Sequence, residues 1–147
     1  MSWVVFFDIG DTLVTDTGTR ASALGCVETL VSAGFRVGII SNTGDLTRTQ
    51  LIGVLPTDFS FSPFDDELIL LSSEHPFEKP SLRIFFEAMQ TANTSPDRCV
   101  FVGESLEETV AAQSAGMHAV RICNDSADHD FDRIPAHIEK LRSNGFE

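Results

Sequence analysis

The sequence predicts an α/β fold, a doubly wound parallel sheet between two layers of helices. Three observations carry that expectation. Five short runs are almost wholly apolar, the pattern of strands buried on both faces. Segments with helical apolar spacing separate most of them. Polar residues able to do chemistry stand directly after several runs, at the carboxyl edge where open α/β sheets hold ligands. The chain, 1–147, is expected to form a single domain large enough to bury its own core.

The first run is Trp3-Val4-Val5-Phe6-Phe7. A helix over 20–33 follows, with Leu24, Val27, Leu30 and Val31 on one face and Gly34 as its stop. Val37-Gly38-Ile39-Ile40 reads as the second strand. The next helix spans 45–55 and ends before Pro56. Leu68-Ile69-Leu70-Leu71 is the third strand. A helix starting at Pro80, whose fixed φ suits a first turn, carries Ile84, Phe85, Ala88 and Met89. Val100-Phe101-Val102, a helix over 107–115 stopped by Gly116, and Ala119-Val120-Arg121-Ile122 continue the alternation. A last helix covers 136–142, before Gly145. Crossovers between parallel strands are expected to be right-handed. The stretch 124–133 reads as an acidic surface loop. Asp128, Asp130, Asp132 and Glu139 loosely match a calcium-loop spacing. Arg133 stands where the turn glycine belongs, and Pro135 interrupts the pattern, so a solvated loop is expected.

Acidic residues outnumber basic ones 22 to 10, a formal charge of −12. That balance argues against a nucleic-acid duplex or an anionic membrane as partner, because both need clustered Lys and Arg. The three cysteines, Cys26, Cys99 and Cys123, are odd in number and widely spaced. They suit neither a disulfide framework nor a zinc site, and read as buried or inert thiols in a reducing compartment. The first residues lack the basic segment and apolar stretch of a signal peptide, and no apolar run reaches the ~18 residues of a membrane span. A cytoplasmic protein is expected.

Four segments concentrate the chemistry. Asp8, in Phe7-Asp8-Ile9-Gly10-Asp11-Thr12-Leu13, follows a buried strand, where a nucleophilic or metal-binding carboxylate is held rigidly. Ser41-Asn42-Thr43-Gly44 offers a hydroxyl and backbone N–H groups to an anion. Lys79, one of only two lysines, precedes Pro80 and makes a fixed point charge for a phosphoryl group. Glu104 and Glu108 follow Val100-Phe101-Val102-Gly103, four residues apart, where a divalent cation would relieve their repulsion. Each segment alone has a plainer reading: a loop-starting Asp, a helix N-cap, a solvated Lys, a polar helix start.

In this order on this topology, the four segments resemble the haloacid dehalogenase-like (HAD) hydrolase superfamily. Its first motif, Asp-x-Asp-Gly-Thr-Leu, matches Asp8-Ile9-Gly10-Asp11-Thr12-Leu13. Its second, a Ser or Thr after the next core strand, matches Ser41, followed by Asn42 and Thr43. Its third, Lys before Pro, matches Lys79-Pro80. Its fourth matches Gly103-Glu104-Ser105-Leu106-Glu107-Glu108, with Ala115-Gly116-Met117 beyond. The resemblance covers about residues 4–122.

It implies a Mg²⁺-dependent phosphohydrolase in which Asp8 forms an aspartyl-phosphate that water hydrolyses. Asp8, the Gly10 carbonyl and Glu104 would hold the metal. Ser41, the Asn42 N–H and Lys79 would neutralise the phosphoryl oxygens. Glu108 would be a ligand through water or a brace for Lys79. Two departures stand out. Family phosphatases carry an acid two residues after the nucleophile, which protonates the leaving oxygen. Here that position is Gly10, and Asp11, next door, is the alternative. Glu replaces Asp at both fourth-motif positions. The alternative function is therefore a catalytically weak or inactive HAD-fold domain that binds a phosphorylated ligand or a protein partner. No large cap insertion is expected, only a small flap near 14–19. An open site suits a large phosphorylated substrate, or a partner subunit of an oligomer that covers it.

Overall fold

A computed structural model describes residues 2–144. Five parallel strands form the central sheet: β1 (Val4–Phe7), β4 (Arg36–Ser41), β5 (Ile69–Leu71), β6 (Cys99–Gly103) and β7 (His118–Arg121). Their order is β5-β4-β1-β6-β7, so β1 is central and the chain winds outward on both sides of it. The strands are apolar along their length because both faces are covered. Val5, Phe7, Val37, Ile39, Val100 and Val102 share one core with α1 (Ala21–Ser32) and α5 (Ala127–Asn144). Val4, Phe6, Ile40, Cys99 and Phe101 share the other with α3 (Leu82–Ala92) and α4 (Leu106–Ser114). The alternation of side chains along each strand assigns residues to one core or the other. This is the α/β, Rossmann-like architecture expected, with no large cap among the described residues.

Between β1 and α1 lies the small flap, a two-stranded antiparallel hairpin of β2 (Val14–Thr15) and β3 (Gly18–Thr19). The short α2 (Arg48–Val54) begins at a capping box. The Thr47 hydroxyl accepts from the Gln50 N–H, and the Gln50 side chain accepts from the Thr47 N–H. Among the described residues, no helix is long and apolar enough to cross a membrane.

Several expectations change. The stretch 124–133 is mostly not a loop: α5 starts at Ala127. Phe131, Ile134 and Ile138 recur at helical spacing and are buried, and that face outweighs the acidic composition. Asp128 and Asp130 lie in the first turn of α5, where acids complement the helix dipole. Asp130 accepts from the Cys123 N–H and the Ser126 hydroxyl. Pro135 sits inside this helix. Helix α3 starts at Leu82, after Pro80, because the Ser81 hydroxyl caps it by accepting from the Arg83 N–H. The buried face of α1 is Ala23, Cys26, Val27 and Leu30, while Leu24 is half-buried and Val31 is exposed. Cys26 and Cys99 are buried, whereas Cys123 is exposed. Burial pushes both buried thiols up to about 12, and the charge of Asp132 adds to this at Cys26. Gly145 lies outside the described residues.

Candidate active site

Asp8 leaves the end of β1. Its N–H donates to the Val102 carbonyl at 3.1 Å, so the pairing of β1 with β6 sets where the carboxylate emerges. The side chain is 14% exposed. Oδ1 accepts the Ile9 N–H at 2.8 Å and lies 2.9 Å from Lys79 Nζ. Oδ2 accepts no hydrogen bond among the described residues.

The chain then turns tightly. The N–H groups of Thr12, Leu13 and Val14 converge on the Ile9 carbonyl at 3.2, 3.0 and 3.0 Å. Asp11 takes φ 58°, a left-handed conformation that Asp tolerates better than most residues. Its side chain is exposed and makes no hydrogen bond or ion pair among the described residues. Gly10 is exposed, and a Cβ built on it would meet nothing within 4 Å.

Lys79 is the centre of the arrangement. Its side chain is 1% exposed. Nζ lies 2.9 Å from Asp8 Oδ1, 2.7 Å from Glu108 Oε1, and 5.1 Å from the centroid of the Phe101 ring. Neither carboxylate contact is aligned as a hydrogen bond. The ammonium is thus balanced in charge while its protons lack an in-line acceptor among the described residues, a state that phosphoryl oxygens would satisfy. Glu108 reaches Lys79 from the first turn of α4, where the Ser105 hydroxyl caps its N–H at 3.3 Å. Of the two roles open to Glu108, the contact seen is the one that braces Lys79.

Ser41 ends β4, is 4% exposed, and pairs in register with Leu71. The Asn42 side chain exchanges two hydrogen bonds with the Lys79 main chain, each 2.9 Å. The Thr43 N–H is taken by the Ser72 hydroxyl at 2.8 Å. Glu104 follows β6 and is half-buried; its carbonyl accepts from Arg121 Nε at 2.8 Å. A Cβ built on Gly103 would lie 3.8 Å from Asp8 Cβ, which puts this strand end against Asp8. The four sequence segments therefore gather at one carboxyl edge.

Among the described residues, no three Asp, Glu, His or Cys side chains converge tightly enough to cage a metal. The oxygens expected from the sequence to hold a metal, Asp8 Oδ2, the Gly10 carbonyl and the Glu104 carboxylate, are hard donors that accept no hydrogen bond among the described residues. Such a set fits Mg²⁺, which keeps several waters and takes only one or two carboxylates.

Three contributions were not legible in the sequence. Arg20 donates from Nε and Nη2 to the Thr12 and Asp11 carbonyls at 3.1 and 3.3 Å, and also to Asn124 Oδ1, tying down the loop after Asp8. Phe101 lies under Lys79. Among the described residues, the buried Thr12 hydroxyl has no hydrogen-bond partner. An Arg opening a helix and a Phe on a core strand carry no local signal for such roles.

Comparison with known proteins gives this geometry a context. The family model described as haloacid dehalogenase-like hydrolase matches residues 15–122. A glyceraldehyde 3-phosphate phosphatase of Methanothermobacter thermautotrophicus is 34% identical over 112 residues, covering 76% of this chain and 46% of that protein. The chain thus spans about half the length of that curated relative. An uncharacterized protein from Listeria monocytogenes superposes with a TM-score of 0.76 at 23% identity, covering 96% of this chain and 98% of its own. A HAD family enzyme from Bacteroides thetaiotaomicron, an Asp-to-Ala mutant solved in complex with magnesium and inorganic phosphate, superposes with a TM-score of 0.68 at 14% identity. It covers 82% of this chain and 94% of its own.

Proposed function

Because the chain belongs to the haloacid dehalogenase-like hydrolases, we propose that it hydrolyses phosphate esters through a covalent aspartyl-phosphate on Asp8. The observation that carries this reading is Lys79, buried beside Asp8 and Glu108 with its protons lacking an in-line acceptor among the described residues. The relative named as a glyceraldehyde 3-phosphate phosphatase supports phosphate esters as the substrate class.

The Asp8 carboxylate attacks phosphorus and the bond to the ester oxygen breaks; that oxygen leaves as the aryl oxide or carboxylate, or as an alkoxide that takes its proton from solvent. Water then attacks the acyl phosphate, releasing inorganic phosphate and restoring the carboxylate. Lys79, the Ser41 hydroxyl and the Asn42 N–H bind the equatorial oxygens, where charge must be held during transfer. Glu108 braces Lys79 in place. Magnesium, held by Asp8, the Gly10 carbonyl and Glu104, would supply further charge neutralisation at the phosphoryl group. The departing oxygen has no acid beside it at Gly10. This favours leaving groups that depart without a proton, such as aryl and acyl phosphates.

That same gap favours a second reading, a weakly catalytic domain that binds a phosphorylated ligand. A phosphate-ester panel, with and without Mg²⁺, on wild type and Asp8→Asn decides between them. Hydrolysis should require Asp8 and fall on chelation. Binding of phosphorylated ligands with no turnover of any ester would establish the second reading.

A further inference from the structure

We infer that the Asn42 side chain is the positioning residue for Lys79, a latch that holds the lysine's main chain where Nζ reaches Asp8. This rests on the reading of Lys79 as the phosphoryl-binding cation. Asn42 Nδ2 donates to the Lys79 carbonyl at 2.9 Å, and the Lys79 N–H donates to Asn42 Oδ1 at 2.9 Å. One side-chain amide thus satisfies both main-chain groups of a residue 37 positions away. The loop that carries Lys79 needs such a tie. Among the described residues, 76–80 make no other main-chain hydrogen bond to another element; the Ser81 N–H to Glu78 carbonyl bond is internal to the turn. The Lys79 side chain is long, and fixing its main chain removes much of the freedom that would let the ammonium wander from Asp8. Asn42 leaves the sheet directly after Ser41, so the latch ties Lys79 to the same strand end that carries the candidate hydroxyl. Its own N–H is not used in the latch and stays available to an anion.

The chain's composition supplies a test independent of activity. Lys79 and Lys140 are its only lysines. Lys79 is buried and Lys140 is exposed. Native acylation with acetic anhydride, read by peptide mass spectrometry, therefore gives a Lys79 rate with Lys140 as internal reference. Alkylation of Cys99, which is 0% exposed on β6, reports global opening in the same samples. Asn42→Ala removes both bonds. Asn42→Asp keeps the shape but sets an oxygen against the Lys79 carbonyl. Both variants keep the main-chain N–H at 42. Each is expected to raise Lys79 labelling relative to Lys140 by about tenfold or more while Cys99 stays protected, the scale of two lost hydrogen bonds in a local opening. In an active enzyme, both should lower kcat more than they raise KM. Unchanged Lys79 labelling in either variant overturns the latch, and so does labelling that rises only in step with Cys99. Failure of the phosphatase reading shows separately, as a wild type that turns over none of the esters.

Discussion

Gly10→Asp probes the missing acid. The backbone at residue 10 is outside the left-handed region, the residue is exposed, and a Cβ there meets no atom within 4 Å. The substitution is therefore expected to fold. Reduced freedom of the unfolded chain favours it by about 0.4–1 kcal/mol, and repulsion from Asp8 and Asp11 offsets part of that. The kinetic effect is larger. A positioned general acid contributes about 10²–10⁴ in rate, or about 3–5 kcal/mol of barrier, where the leaving oxygen must be protonated. An aryl oxide leaves unaided, so it gains little. The assay compares kcat/KM for an alkyl and a nitrophenyl phosphate in wild type and variant, with thermal unfolding as a check on folding. Alkyl-phosphate turnover should rise about 10²-fold or more, and aryl turnover by less than about tenfold. Equal gains on both substrates, or no gain on the alkyl ester in a folded variant, would refute the reasoning. Asp11→Asn completes the set. Loss of alkyl-phosphate turnover in that variant would show that Asp11 already supplies the proton.

Glu104→Asp should bind Mg²⁺ more tightly than wild type in calorimetric titration, because the shorter side chain loses less rotamer freedom at an octahedral ion; equal or weaker binding counts against Glu104 as ligand. Gly38→Ala places a methyl 2.6 Å from the Leu68 carbonyl oxygen and 2.9 Å from the Phe6 ring, so denaturant unfolding should show a loss of about 1–3 kcal/mol, and an unchanged midpoint would mean the sheet shifts freely there. The pH dependence follows from the buried thiols. Their folded values, about 12 at Cys26 and Cys99, exceed the ordinary 9.0. That stabilisation is complete below about pH 9 and is lost as pH rises through 12, so thermal stability should fall across this alkaline window. At pH 8 only the exposed Cys123 should react with a thiol reagent in the native protein; rapid reaction of all three would contradict the burial.

Much of the fold was legible because its signals are local. Apolar runs such as Val4–Phe7 and Val100-Phe101-Val102 read as doubly covered strands from their own composition, and the residues after them fall at the carboxyl edge once the sheet is parallel. Asp8, Ser41, Lys79 and Glu104 could be named for the same reason, each being defined by its position against a strand or a proline. Local reading failed where burial opposed composition. The acids of 124–133 suggested a loop, but Phe131, Ile134 and Ile138 place most of that stretch in α5, packed against α1. It also left open which partners distant in sequence would touch. The contacts of Lys79 with Asp8 and Glu108, its seat on Phe101 and its latch to Asn42 join residues from four parts of the chain. Hydrophobic periodicity and turn chemistry act over a few residues, so the amino-acid order alone determined the layers, the strand ends and which polar groups stand at them. Which of those groups touch is set by strand order, crossover and the reach of long side chains, and only the packed tertiary structure decided that Glu108 faces Lys79 and that Asn42 holds it.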